Sequence, residues 1–417
     1  MTRPSPLAFY GALTGLLEPF APALLRRRAA RGKEDAARLR ERLGQASVPR
    51  PEGGLVWLHG VSVGEATSLL PLIAALRERR PDLTLLVTSG TTTAAELLAR
   101  RLPEGAIHQY VPLDTPRAVR RFLDHWRPAL AVFVESEIWP NLIQEANDRG
   151  VRLALLSARM TEESARGWAR FPVAAHEIFS AFDLVMAQDA ATEDRLRRLG
   201  AEPDSRLNLK LTGDALPVDD LELARLRKAA AGRKVVLAAS THPGEDEIVV
   251  EAFRAAVDDP AEALLILAPR HPDRGPDLAQ RFAATRRSAG EAPTGPIHVA
   301  DTLGELGLFF RLADVVVMGG AFLPGIGGHN PLEPARIGRP ILTGPHAFNA
   351  AEAYADLFAE AAAIEAADAA AMARHVRGLL DHPRIARRMG EAALAYAERQ
   401  GAALHEALAR LEPLLPA

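Results

Sequence analysis

The sequence predicts an α/β protein built from two doubly wound parallel-sheet domains, and three observations lead there. Short apolar runs suited to buried strands alternate with stretches long enough for a crossover helix, which is the signature of a parallel sheet. That alternation is played twice, with a stretch rich in charge and turn residues between the two series. Finally, 417 residues exceed one ordinary core.

The first domain is organised around Leu55 to Glu65, an apolar run that ends in a small-residue turn and delivers a carboxylate to the start of a helix. Gly54 and Gly60 bound the strand, and Leu69, Leu70, Leu72, Ile73 and Leu76 give Glu65 to Arg80 helical spacing. In open α/β sheets ligands bind at the carboxyl ends of strands, where helix N-termini point free N–H groups into the crevice. Further strands are predicted at 84–88, 107–111, 130–135, 152–157 and 184–188. The second series runs 235–240, 263–270, 297–301, 315–320 and 340–344, and beyond Ala350 the chain reads as Ala-rich helix. The expected divisions are a basic membrane-associated segment (1–40), a first Rossmann-like domain (41–206), a hinge region (207–233) and a second Rossmann-like domain (234–417) whose last helix can return to the first domain.

Composition narrows the function. The absence of cysteine excludes disulfides and thiolate zinc sites. Residues 1–50 hold 10 Lys+Arg against 4 Asp+Glu, leaving 40 against 49 in the remainder. A basic front on an acidic body argues against a nucleic-acid binder and for an anionic surface met by the N-terminus. Leu7 to Leu25 is mostly apolar and is followed by Arg26, Arg27, Arg28, Arg31 and Lys33, the reverse of a cleaved signal's order. As a helix it is roughly 28 Å long, barely enough to span. Glu18, Pro19 and Pro22 interrupt it, and an acid at the bilayer centre costs about 2.5–3.5 kcal/mol. An in-plane anchor is the expectation, with the arginines on anionic lipid and the rest of the chain on the cytoplasmic side of that membrane. The alternative is a helix packed on the protein's own body.

Several motifs carry chemistry. Glu65 follows Ser62-Val-Gly64, and a carboxylate in a first helical turn is favoured by the macrodipole whatever its function. The same dipole lowers its pKa and weakens it as a base unless burial or a neighbouring anion opposes this. Glu135 and Glu137 end an apolar strand, where they can orient a hydroxyl, order the loop or pair with arginine. Ser240 and Thr241 are expected as helix caps or as phosphate contacts, and Arg270 with His271 closes the next strand with a fixed charge suited to phosphate. Gly319 to Pro334 has five glycines in its first ten residues, so its backbone is expected to approach a ligand and to hold phosphate on N–H groups. There Asn330 is a candidate cap before Pro331, and Glu333 suits a ribose diol rather than a phosphate. The spacing is neither a Walker loop nor a dinucleotide fingerprint. His59, His242, His271, His329 and His346 lie near strand ends without the spacing of a metal set.

Taken together, these motifs resemble the Kdo transferases of lipopolysaccharide assembly, which move 3-deoxy-D-manno-octulosonic acid (Kdo) from CMP-Kdo to a lipid A precursor. The likeness runs through Arg31-Gly-Lys-Glu34, Glu41-Arg-Leu-Gly44, Trp57-Leu-His59, Ser62-Val-Gly-Glu65, Glu137-Ile-Trp-Pro-Asn141, Ala268-Pro-Arg-His271, Gly327-Gly-His-Asn-Pro-Leu-Glu-Pro334 and Gly344-Pro345. It implies a GT-B type fold, two Rossmann-like domains facing a cleft, and an inverting transfer needing neither metal nor cofactor, with Glu65 as the base. It also implies donor contacts from Ser240, Thr241, Arg270, His271, Gly327, Gly328, Asn330 and Glu333. Acceptor contacts would come from Ser62, Gly64, Glu135 and Glu137. The chain departs from the family where Gly213-Asp-Ala-Leu216 stands against the usual Gly-Asn-Leu-Lys, with Lys210 nearby, and where Ser89-Gly-Thr-Thr-Thr93 replaces Thr-Pro-Thr-Gly. Two other readings stay open: a nucleotide-sugar epimerase of the same two-domain architecture, and a membrane-attached nucleotide-sugar-binding protein without chemistry.

Overall fold

The computed structural model describes residues 6–213 and 215–416. Two compact units emerge: described residues up to Gly213 together with those from Gln400 onward, and the residues between. The division falls inside the long helix Pro383–Leu411.

The first unit is a seven-stranded, wholly parallel sheet. Its strands are β1 (Leu55–His59), β2 (Thr84–Ser89), β3 (Ala106–Tyr110), β4 (Leu130–Val134), β5 (Arg152–Ala158), β6 (Leu184–Ala187) and β7 (Ser205–Arg206), in the order β3-β2-β1-β4-β5-β6-β7. β1 and β4 are buried along their whole length because helices cover both faces of the sheet, which is why they read as unbroken apolar runs. On one face Trp57 packs against Phe122 and Phe133 at 4.8 and 5.2 Å between centroids. On the other, Val56 and Leu58 meet Leu69, Leu72 and Ile73 of the helix that follows β1. The order reverses at β1 and β4, so the loops after these two strands form the unit's switch point.

The N-terminal segment forms helices α1 (Pro6–Leu17) and α2 (Ala21–Ala29), joined by one 3₁₀ turn at Glu18–Phe20 where the prolines interrupt the pattern. Leu7, Ala21 and Leu25 are buried, and polar groups on the same stripe bond to the body. Tyr10 Oη donates to Asp114 Oδ2 at 3.0 Å, Asn141 Nδ2 to Thr14 Oγ1 at 3.0 Å, and Arg117 N to Glu18 Oε2 at 3.3 Å. Phe9, Leu13, Leu16, Leu17, Phe20 and Leu24 form the opposite, exposed stripe. Just beyond, the buried carboxylate of Glu41 accepts from Arg38, Ser47 and the Tyr110 amide, which ties this segment to β3.

The second unit repeats the plan with β8 (Lys234–Thr241), β9 (Ala263–Pro269), β10 (Thr285–Arg286), β11 (Ile297–Val299), β12 (Val315–Met318), β13 (Ile341–Thr343) and β14 (Ala363–Glu365), all parallel in the order β10-β11-β9-β8-β12-β13-β14. Its switch point lies after β8 and β12. β14 corrects the expectation of unbroken helix beyond Ala350: three residues of an alanine-rich stretch extend the sheet beside β13, a pairing with no local β signal. The stretch 207–233 also divides. Leu207 and Leu209 join the first unit's core, whereas a helix at Asp220–Ala230 belongs to the second.

Candidate functional site

In the first unit, Ser62 caps the helix Val63–Arg79 and Glu65 sits at its third position. The two residues form a capping box: Ser62 N donates to Glu65 Oε2 at 2.7 Å and Glu65 N to Ser62 Oγ at 3.3 Å. The carboxylate is therefore fixed at the switch point. Its pKa is nevertheless raised, chiefly by burial, with Glu137 and Glu135 adding negative charge against the lowering effect of the Ser62 and Val61 backbone bonds. The helix terminus alone predicts the opposite direction; desolvation and the acidic loop outweigh it.

That acidic loop splits into two roles. β4 ends at Val134, and Glu135 turns into the left-handed region at φ 57°, a conformation costing about 1–2 kcal/mol in a residue with a Cβ. The turn buries Glu135 with its Oε1 2.7 Å from Lys210 Nζ. Glu137 instead accepts from Trp139 Nε1 at 2.5 Å, and its Oε2 lies 3.6 Å from Nε2 of the fully buried His59. His59 Nδ1 is in turn 2.9 Å from Thr88 Oγ1, which also accepts from Trp57 Nε1 at 2.8 Å. Lys210 bears on the motif departure as well. Asn208-Leu209-Lys210 places an amide and a lysine a few residues before Gly213; Asp214 itself lies outside the described residues. Gly64 is exposed beside Ser62.

In the second unit, Ser240 is the next-to-last residue of β8 and takes φ 58°, within an irregularity of the β8–β9 register. Ser240 and Thr241 are not helix caps, since Gly244 occupies that position before the helix Glu245–Ala256. The Thr241 hydroxyl is fully buried and donates to Asp246 Oδ1 at 2.7 Å, while Asp246 also pairs with Arg274. Thr241 thus holds the loop, and its hydroxyl is not presented to a ligand. Ser240 and Arg270 line a pocket with Thr302, Leu303 and Phe309 at the ends of β8, β9 and β11.

The glycine loop after β12 differs from expectation in one respect. Part of its N–H array is already occupied: Glu245, inaccessible to solvent, accepts from Gly320 N and His242 N through Oε2 at 2.7 and 2.9 Å, and from Phe322 N through Oε1 at 2.9 Å. Gly328 N donates to Gly320 O at 2.7 Å. The glycines serve the loop's own packing. A Cβ on Gly319 would lie 2.6 Å from Ser240 O, and Gly327, at φ 98°, faces Phe348 and Asn349. Asn330 Oδ1 accepts from Leu332 N at 3.0 Å, but the cap position of the short helix Leu332–Ala335 is held by Pro331, one residue later than the sequence suggests. Burial raises the pKa of Glu333, with Arg336 and Arg270 opposing.

Sequence reasoning named His242 and His329 only as isolated residues. Their Nε2 atoms are 3.0 Å apart, and His271 stands 6.0 Å from His242 between ring centroids. Glu245, Asp246 and Arg274 were not singled out at all; acids after a strand end read as ordinary first-turn carboxylates.

A family profile described as 3-deoxy-D-manno-octulosonic-acid transferase (kdotransferase) matches residues 37–215. The 3-deoxy-D-manno-octulosonic acid transferase of Rickettsia bellii is 31% identical over 98% of this chain and 100% of its own. That of Haemophilus influenzae is 32% identical over 98% of both chains. Among solved structures, a glycosyltransferase from Rickettsia africae superposes with a TM-score of 0.59 at 10% identity, covering 87% of this chain and 99% of that one. UDP-GlcNAc 2-epimerase from Neisseria meningitidis gives 0.58 at 12% identity, covering 87% and 100%. These two likenesses are of fold alone, and the fold is of the GT-B type.

Proposed function

The chain belongs to the 3-deoxy-D-manno-octulosonic acid transferase family, and from that premise we propose that it transfers Kdo from CMP-Kdo to a hydroxyl of a lipid A precursor by an inverting displacement at the cytoplasmic face of the inner membrane. The observation that carries the reading is Glu65: a carboxylate held at a switch point by Ser62 with its pKa raised, the condition that suits a general base to neutral pH. Glu65 takes the acceptor's O–H proton as that oxygen attacks the anomeric carbon. The bond from that carbon to the CMP phosphate oxygen breaks, and its electron pair leaves with the phosphate. Ser62, Gly64, Glu135 and Glu137 frame the acceptor side, with Lys210 neutralising Glu135.

On the donor side Arg270 meets the phosphate, and His271, Ser240, Asn330 and the backbone of Gly327 and Gly328 line the nucleotide pocket. Glu333 accepts from the ribose hydroxyls. The reaction needs no metal or cofactor. The exposed apolar stripe of α1 and α2, followed by Arg26, Arg27 and Arg28, supports in-plane attachment to an anionic membrane: Tyr10, Thr14 and Glu18 are bonded to the body, so the helix keeps only its other face for lipid.

The test is to mix purified protein with freshly generated CMP-Kdo and a tetraacylated lipid A precursor and weigh the lipid. Mass gained in Kdo-sized steps is the expected result. Epimerisation of a UDP-sugar with no lipid product would replace this reading with the epimerase, and CMP binding with no turnover would leave a binding protein.

A further inference from the structure

The histidine pair in the second unit has a protonation pattern that its geometry dictates. His242 and His329 meet Nε2 to Nε2 at 3.0 Å, with ring planes only 7° apart and centroids 5.2 Å apart. The rings are thus almost coplanar and joined edge to edge by one N–H···N bond. One Nε2 donates and the other accepts. Whichever tautomer the neutral pair adopts, a His242 that gains a proton is a donor at both nitrogens: Nε2–H is held by Nε2 of His329, and Nδ1–H lies outside the pair. The two rings thus form a short chain in which Nδ1 is the open nitrogen of His242, the one through which a proton can come and go.

The surroundings keep that chain neutral at rest. Burial lowers both histidines, His329 to about 4, and the groups facing His242 are Glu245, which opposes the shift, and His271, Arg270 and Arg274, which reinforce it. A phosphate docking on Arg270 would reverse the local charge and favour a proton on the open Nδ1.

We propose that His242 is the catalytic acid of the donor side, giving its Nδ1 proton to the departing phosphate, and that His329 is a positioning residue that fixes its orientation. This rests on the transferase reading. On donor binding, Nδ1 takes a proton from solvent. As the bond between the anomeric carbon and the phosphate oxygen breaks, that oxygen receives the bonding pair and then the proton, so CMP leaves as a monoanion. The acceptor's proton, held on Glu65, returns to solvent, and no net proton is gained or lost.

Calorimetry of CMP binding to the full-length protein, in buffers of different ionisation enthalpy near pH 7, reads the proton directly. Wild type should take up a fraction of a proton that H242Q does not, and their difference cancels the nucleotide's own ionisation. In turnover, H242Q should lose about 10²-fold in kcat with little change in KM for the donor, and should lose the descending basic limb of the pH profile. H329L should lose the uptake and H329Q, which restores an acceptor for Nε2–H, should recover it; this pair decides the matter if H242Q fails to fold. Equal uptake by wild type and H242Q, or an unchanged basic limb, overturns the histidine proposal alone. Failure of wild type to bind CMP overturns the transferase reading beneath it.

Discussion

The two units share one sheet plan and put opposite chemistry on it. Leaving aside the two-residue edge strands β7 and β10, each sheet runs 3-2-1-4-5-6 in its own count. In both, a carboxylate stands just past the first strand, Glu65 after β1 and Glu245 after β8. Glu65 keeps part of its surface and a raised pKa beside two more acids. Glu245 is sealed from solvent and spends its oxygens on three backbone amides. The first switch point is accordingly acidic, able to take up a proton, and the second is rich in arginine and imidazole, suited to an anion. The fold decides where a side chain can act; the partners of that side chain decide whether it acts or braces a loop.

Exchanging the two carboxylates for their amides tests that division most sharply. E65Q should keep its thermal stability and CMP affinity while kcat falls about 10²–10⁴-fold, the range of a lost general base. In wild type the acid limb of the rate profile should lie above the ordinary carboxylate range, because Glu65 must be ionised to act and its pKa is raised. E65Q turning over at the wild-type rate would end the assignment. A second asymmetry is the apolar stripe on the first unit. Replacing Leu16 and Phe20 by serine removes two side chains worth about 1.5–3 kcal/mol each when buried, so binding to anionic vesicles should weaken by about 10²-fold or more while soluble-phase stability is unchanged. E245Q comes next: an amide NH₂ must face a backbone N–H, which should cost about 1–3 kcal/mol in denaturant unfolding. A neutral result there would mean the glycine loop does not depend on Glu245.

How much of this could be read from the chain follows from the range of the interactions. β1, β4 and β8 are legible because strands covered on both faces are continuous apolar runs, and Ser62 with Glu65 is legible because a capping box spans only three residues. β7, β10 and β14 are two- or three-residue edges whose pairing exists only in the folded sheet. The raised pKa of Glu65 comes chiefly from burial in the folded unit, with Glu137 and Glu135 some seventy residues away adding to it, and cannot be weighed against the dipole from local spacing. The bond between His242 and His329 joins residues 87 apart. The glycine loop was readable as special but not for its reason, since Glu245 lies outside it.

The smallest expected effect separates the units by acid alone. A histidine whose folded pKa lies below its unfolded value of about 6.5 stays neutral in the folded state, so its stability contribution is full above that value and is lost as pH falls toward the folded pKa. His298 and His329 in the second unit are both lowered to about 4, mainly by burial, and His242 is lowered as well. In the first unit His108 has the same sign, but Glu65 and Asp114 are raised by burial, and such carboxylates return stability as pH falls through their folded values. Glu333 is the one raised carboxylate of that kind described in the second unit. Between pH 6.5 and about 4 the second unit should therefore loosen first. All four tryptophans, Trp57, Trp126, Trp139 and Trp168, are in the first unit, so their fluorescence reports on that unit while far-ultraviolet circular dichroism reports on both. The dichroism transition should begin at higher pH than the fluorescence transition, and H298Q should narrow the gap. Coincident transitions would mean that the units unfold as one body and that buried imidazoles do not set the acid limit of the second.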